Sequence, residues 1–238
     1  MSSPKDSPRS AAPAPVRIGI VEDQKLVLSL LRQLCERQFG FSVAFQAETA
    51  QQACKVAAEA RPDLILLDIN LPDEDGIVAG MRLKKIVPGV RIVMISAECT
   101  EYTVHRMRVS GVDGYIDKNS DPNIIGTAVT EVLAGRRFFS DLVGQVRRQM
   151  VEDGGSFNKV LSEAEQAMLP LFGMGYGDDE IAGLMSLSAV TIRWHRKRIM
   201  GKLNLRTATE LVHYCLQKGF IHTRPGGDVR PAGAPKVD

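Results

Sequence analysis

Two rhythms divide the chain. From Val16 to about Gly135, short apolar runs recur between segments of helical periodicity. The runs are Arg17-Ile18-Gly19-Ile20-Val21, Ser42-Val43-Ala44-Phe45, Leu64-Ile65-Leu66-Leu67, Arg91-Ile92-Val93-Met94-Ile95 and Gly114-Tyr115-Ile116. Strands that are apolar throughout need cover on both faces, so this alternation predicts a five-stranded, doubly wound parallel sheet in an α/β domain. Any site in such a domain belongs at the carboxyl ends of the strands. From Leu161 to Phe220 no strand signal remains, and short helices follow one another. Ser162 and Glu165 have capping-box spacing at the start of the first helix, Asp178 to Met185 is a second, and Ser188 caps a third that runs to about Leu203.

The expected organisation is a disordered tail over 1–15, an α/β domain over 16–135, a linker over 136–159, an all-α domain over 160–221 and a second disordered tail over 222–238. Both tails are polar and rich in Pro or Gly, which leaves too little apolar surface to order them. Within the linker, Leu142 to Met150 can form a short helix, and Asp153-Gly154-Gly155-Ser156 is its most pliable point. Two domains of ordinary size suit 238 residues, and a hydrophobic content of 44% can fill their cores. No run approaches the roughly 20 apolar residues of a membrane span, and Met1 to Pro15 has no apolar stretch of the kind a signal peptide needs. Cys35, Cys54, Cys99 and Cys215 are scattered without metal-ligand spacing, as expected for reduced thiols in a cytoplasmic protein. The net charge of +2 is uninformative until its distribution is followed.

That distribution singles out two clusters. Glu22 and Asp23 follow the first strand, and Asp68 ends the third. Neighbouring strand ends would bring the three carboxylates into one shallow pocket, where they repel one another unless a cation intervenes; hard oxygen ligands favour Mg²⁺. The fourth strand ends at Ser96, a hydroxyl, and Lys118, an ammonium, follows the fifth. Three acids, a hydroxyl and a lysine at successive strand ends suit the binding of a phosphoryl group. Any one of these residues alone has an ordinary structural explanation; their combination is what carries the chemistry. An aspartate after a strand is also the nucleophile of haloacid-dehalogenase-type phosphatases, but those need a second aspartate two residues on, and this chain has Asn70 there.

The order Glu22-Asp23, Asp68, Ser96, Lys118, with Leu71-Pro72, Asp75-Gly76 and Tyr115, resembles the receiver domain of two-component response regulators, over Val16 to Gly135. The resemblance implies a flavodoxin-like fold. It implies that Asp68 is phosphorylated by a histidine kinase and that Mg²⁺ is held by Glu22, Asp23, Asp68 and the Asn70 backbone carbonyl. Lys118 would then pair with the phosphoryl oxygens, while Ser96 and Tyr115 act as the switch, with Tyr115 swinging inward after transfer.

The second cluster is basic. Arg193, Arg196, Lys197, Arg198, Lys202 and Arg206 lie within a short span containing no acid, which suggests a polyanionic partner. At about 100° per residue, Ile192, Ile199 and Leu203 share the packed face, while Val190, Arg193, Trp194, Lys197 and Gly201 project from the other. Arg193 and Lys197 suit guanine edges in a major groove and Trp194 a thymine methyl; His195, Arg196, Arg198 and Lys202 suit phosphates. A solvated basic face and a structural His195 are the plainer alternatives.

The segment Leu161 to Gln217 resembles the LuxR-type helix-turn-helix of NarL/FixJ-class regulators. The matching residues are Leu161-Ser162, Leu169, Gly175, Glu180-Ile181-Ala182, Leu187-Ser188, Val190-Thr191-Ile192, His195, Ile199, Lys202-Leu203 and Leu205. The helix-turn-helix motif itself would span about 177–197. The resemblance implies base contacts from Arg193, Trp194 and Lys197, backbone contacts from Thr191 and Lys202, and a homodimer formed through Thr207 to Gln217. Pro170 inside the first helix, and Asp178 and Asp179 where the family carries polar or basic residues, depart from the pattern; a kinked helix and weaker DNA binding would follow. The function expected is a DNA-binding transcriptional response regulator switched at Asp68, not a metabolic enzyme. The alternatives are a phosphorylation-independent transcription factor and a partner-binding regulator or phosphate sink. No membrane partner is expected.

Overall fold

A computed structural model describes residues 14–223 and 229–231. Six parallel strands form the first sheet: β1 (Arg17–Val21), β2 (Ser42–Ala47), β3 (Leu64–Asp68), β4 (Arg91–Ser96), β5 (Gly114–Asp117) and β6 (Phe138–Phe139), in the order β2-β1-β3-β4-β5-β6. Helices α1 (Lys25–Gln33), α2 (Ala50–Ala60), α3 (Gly76–Ile86), α4 (Glu101–Ser110) and α5 (Ile124–Leu133) connect them, and a π-helical turn at Leu34–Gln38 continues α1. Successive strand side chains point to opposite faces, and the core divides accordingly. Leu64 and Leu66 join Ile18, Ile20 and Val93 in packing with Leu31 of α1 and Val129 of α5. Ile65 and Leu67 lie in the other layer with Ala53 of α2, Leu83 of α3 and Met107 of α4. The doubly wound parallel sheet expected from the apolar runs is therefore present, with one more strand.

The sixth strand is a correction to the five expected. Phe138–Phe139 pairs with Gly114 and Tyr115 of β5, and two residues after Arg136-Arg137 are too few to show a periodicity. Gly114 permits the approach, since a Cβ there would lie 2.8 Å from the Phe138 carbonyl oxygen.

The second region comprises α6 (Asp141–Glu152), α7 (Phe157–Val160), α8 (Glu163–Gly173), α9 (Asp178–Met185), α10 (Ala189–Lys202) and α11 (Ala208–Lys218). Ser162 and Glu165 cap α8 reciprocally, and Ser188 and Thr207 cap α10 and α11. Helix α8 runs through Pro170 without interruption, and the Met174 amide bonds to the Pro170 carbonyl at 3.0 Å. The disordered tail expected from residue 222 also needs correcting, because β7 (Ile221–Thr223) pairs antiparallel with β8 (Val229–Pro231). Ile221 is buried where Gly173 of α8 leaves room for it, so the chain is still anchored there despite its polar composition. The remaining tail expectations, for 1–13, 224–228 and 232–238, fall outside the described residues.

The two regions meet at the amino end of α4. Tyr102 stacks on Phe220 at 4.1 Å, Phe157 packs edge-on against both, and the Lys218 ammonium pairs with Glu101 at 2.5 Å. Gly219 is in the left-handed region at φ 82°, and a Cβ on it would fall 2.0 Å from the Thr100 hydroxyl. No other residue fits that approach without displacement.

Candidate phosphoacceptor pocket and nucleic-acid interface

Parallel register puts the chemistry of the first domain at one edge. Val21 pairs with Leu67 and Asp68 with Ile95, so the ends of β1, β3 and β4 lie side by side. One carboxylate oxygen from each of Glu22, Asp23 and Asp68 lies within 4.8 Å of the others. Glu22 and Asp68 are buried. Burial raises the Asp68 carboxyl above the usual carboxylate range, against the pull of Lys118; burial and then the Asp68 charge raise Glu22. The Lys118 ammonium sits 3.1 Å from Asp68 Oδ2 and 2.8 Å from Glu22 Oε2. Burial opposes its charge, but the two carboxylates outweigh burial and hold it protonated above the ordinary lysine range. Asp68 Oδ1 is a buried acceptor with no hydrogen-bond partner among the described residues.

This donor set fits a hard divalent cation. It is all oxygen, it carries more negative than positive charge, and it includes an unmatched acceptor of the kind that is costly to leave bare. Asn70 is exposed in the loop after β3, and its backbone amide lies near enough to the Asp68 carboxylate to favour the charged form.

Ser96 and Tyr115 stand beside the acids. The Ser96 hydroxyl accepts the Glu98 amide at 3.2 Å. Tyr115 is fully buried, and its hydroxyl donates to the carbonyls of Ser96 and Glu98 at 3.3 and 3.2 Å. Tyr115 therefore points inward in this structure, where the two carbonyls give its hydroxyl a partner. The segment it grips, Ala97 to Thr100, leads directly into the α4 contacts with the second region.

Sequence reasoning did not anticipate a second charged element here. Arg106 of α4 forks onto both oxygens of Asp75 at 2.6 and 2.5 Å, and Asp75 also caps α3. Residues 31 positions apart gave no local signal; only the excess of acids in the loop after Asp68 hinted at a cation from elsewhere.

On α10 the helical sorting holds. Ile192 and Ile199 are buried, and Arg193, Trp194 and Lys197 are exposed. Trp194 is 54% exposed and lies under the Arg198 guanidinium at 5.0 Å. Thr191 shares a hydrogen bond with the capping Ser188, and His195 is half-buried with a bare Nδ1. Arg196 and Lys202 are engaged within the protein. Arg196 bonds Asp178 and the Tyr176 carbonyl and lies over the Phe172 ring, while Lys202 pairs with the buried Glu165 at 2.7 Å.

Among the described residues all four cysteines are free, and Cys35 and Cys215 lie in the cores. No helix of the described residues is long and apolar enough to cross a membrane.

Comparisons with known proteins agree with both halves. Residues 18–130 match the response regulator receiver domain, and residues 159–215 match the bacterial regulatory proteins of the luxR family. Among similar proteins, the response regulator protein VraR of Staphylococcus saprophyticus is 28% identical over 207 residues, covering 87% of this chain and 99% of VraR. A LuxR-family two-component response regulator from Aurantimonas aligns with TM-score 0.54 and 29% identity, over 58% of this chain and 99% of that one. RcsB of Salmonella enterica serovar Typhimurium, bound to promoter DNA with a phosphomimetic, aligns with TM-score 0.62 and 20% identity over 84% of this chain and 98% of that one, a likeness of fold. The chain belongs to the DNA-binding response regulators of two-component systems, with a receiver domain followed by a LuxR-type domain.

Proposed function

We propose that Asp68 accepts a phosphoryl group from a histidine kinase with Mg²⁺ bound by Glu22, Asp23, Asp68 and the Asn70 carbonyl. In this reading the modified receiver pairs two copies of the chain on double-stranded DNA in the cytoplasm. The observation that carries it is the Asp68 carboxylate itself. Lys118 holds one oxygen, and the other is bare among carboxylates. Bound Mg²⁺ would neutralise the acids and the charge on the transferring group. Asp68 supplies the nucleophilic oxygen. Lys118, released from Glu22, pairs with the incoming phosphoryl oxygens, and the Ser96 hydroxyl turns from the Glu98 amide towards them.

Turning Ser96 disturbs the segment that Tyr115 grips, and the same segment leads into the Glu101–Lys218 and Tyr102–Phe220 contacts. A local charge thereby biases the interface between domains. Helix α10 presents Arg193, Trp194 and Lys197 to solvent, so in this reading phosphate acts on pairing rather than on unmasking that helix. Pairing of two domains through α11 is the better-supported step, and exposed Leu216 lies on that helix. Arg193, Trp194 and Lys197 read bases, and Thr191 and His195 line the backbone side; Arg196 and Lys202, held by Asp178 and Glu165, would have to exchange those partners to join them. Half-sites would lie about one helical turn apart. Moving the population from almost off to almost on takes roughly 5.5 kcal/mol of differential stabilisation.

Trp194 offers the test. Duplex DNA titrated into the protein at two salt concentrations, with and without Mg²⁺ and beryllium fluoride, should change Trp194 fluorescence in a salt-sensitive way that strengthens with the mimic. Asp68→Ala should bind as the untreated protein does under every condition. An Asp68→Ala variant that still responds to the mimic defeats the proposal.

A further inference from the structure

One carboxylate on α9 holds two guanidinium groups of α10. Asp178 is in the first turn of α9, and its side chain is only 18% exposed. Its Oδ1 accepts the Nε–H of Arg196 at 2.9 Å, and Nη2 of the same guanidinium lies 2.8 Å away. Arg196 is itself fixed by the Tyr176 carbonyl at 3.2 Å and by the Phe172 ring 4.3 Å below its guanidinium. The anchor is therefore rigid, and its second oxygen is turned to the next cation. Asp178 Oδ2 accepts the Nε–H of Arg193 at 3.2 Å, and Arg193 is 71% exposed. The two Nη groups of Arg193 have no hydrogen-bond partner among the described residues and remain free.

Guanidinium geometry gives this arrangement a consequence. An arginine reads guanine by placing two parallel donors on O6 and N7. A free arginine on an exposed helix must first give up its rotamer freedom to present that fork, and a carboxylate on Nε removes part of that cost. Resting on the reading of α10 as the DNA-recognition helix, we propose that Asp178 is a positioning residue. It presets Arg193 for bidentate readout of one guanine per half-site and so sets base preference at that position. Asp178 touches no base itself. It also withdraws one positive charge from the helix surface, which lowers affinity for DNA of any sequence. The protein exchanges general affinity for discrimination.

Asp178→Asn separates the two effects. An amide has one acceptor oxygen where a carboxylate has two, so it cannot satisfy Arg196 and Arg193 together. Asp179, exposed in the same helical turn, provides the charge control, because Asp179→Asn removes the same charge without touching Arg193. The full-length protein and each variant would be selected, with Mg²⁺ and beryllium fluoride, against a pool of random-sequence DNA duplexes, and the salt dependence of binding measured.

The wild type should enrich guanine at one position in each half-site. Asp178→Asn should lose about tenfold or more of that preference, and its log–log salt slope should steepen by roughly 1 per half-site. Asp179→Asn should steepen the slope and leave the preference intact. Arg193→Ala, which removes the fork, should lose the preference as Asp178→Asn does. Should Asp178→Asn and Asp179→Asn behave alike and both keep the preference, Asp178 is a charge brake and the proposal is wrong. Retention of the guanine by Arg193→Ala overturns it as well. A wild type that enriches no sequence defeats the DNA-recognition reading of α10 itself, an outcome distinct from both.

Discussion

The molecule holds two charge clusters, and their physics differ. In the receiver pocket Glu22 and Asp68 are buried and Lys118 is half-buried, and burial drives both carboxyls towards the protonated state while the lysine keeps its proton. On the DNA-binding domain Arg193 and Lys197 are exposed, Arg196 and Lys202 are half-buried, and the acid partners lie on other helices: Asp178 on α9 and Glu165 on α8. Acids crowded out of water repel one another strongly and respond to a single added charge, whereas an exposed ion pair contributes little stability and adjusts readily. The first cluster suits a switch, and the second suits tuning of recognition.

The largest effect should come from removing Lys118, the pocket's one cation among the described residues. Lys118→Ala leaves Asp68 and Glu22 with no paired cation among the described residues. Phosphorylation from a small phosphodonor such as acetyl phosphate should slow by about 100-fold or more, the usual loss when a preorganised positive donor is deleted. Rates followed by intact-protein mass spectrometry check this. A loss under about threefold would mean that the pocket's charge balance does not matter to the chemistry.

Next in size is a contrast in stability between two arginine–aspartate pairs. Arg106 and Asp75 are 12% and 8% exposed and joined by two hydrogen bonds, and Asp75 also caps α3. Arg106→Ala strands a buried carboxylate and should cost about 3 kcal/mol. Arg193→Ala breaks an exposed contact and should cost less than about 0.5 kcal/mol. Urea denaturation of both variants sharpens the comparison, and equal losses would break it.

The same contrast explains how much the sequence disclosed. In a parallel sheet, strand order and register turn linear positions into neighbours, so Glu22, Asp68, Ser96 and Lys118 could be gathered from their places after apolar runs. The buried and exposed faces of α10 were legible too, since 100° per residue separates Ile192 and Ile199 from Arg193 and Lys197. Pairing across elements was not legible. Nothing local ties Arg106 to Asp75, or Arg193 and Arg196 to Asp178, because these contacts depend on how helices cross. The strand at Phe138–Phe139 and the hairpin of Ile221–Thr223 with Val229–Pro231 were missed for a related reason. Each is two or three residues long, and each is fixed by a glycine that opens space for it, Gly114 in one case and Gly173 in the other.

The smallest effect expected is a pH dependence of the domain interface, at His222. Its side chain faces Glu98, with Nδ1 3.6 Å from Oε2, and lies near Asp75 and Arg106. Burial pushes the imidazole below its ordinary range, with Arg106 acting in the same direction and Glu98 and Asp75 opposing. The closed arrangement therefore binds a proton less readily than an opened one, in which His222 regains an ordinary pKa near 6.5. Protons favour the state that binds them, so the contact is fully present above about pH 6.5 and weakens as pH falls from there towards the depressed value. Small-angle scattering should show a larger radius of gyration at pH 5.5 than at pH 7.5. The difference should shrink in His222→Gln, which keeps polarity but cannot titrate. If expansion persists undiminished in that variant, the pH sensitivity belongs to other groups. If no expansion occurs, the aromatic packing of Tyr102, Phe157 and Phe220, together with the Lys218–Glu101 pair, outweighs the histidine.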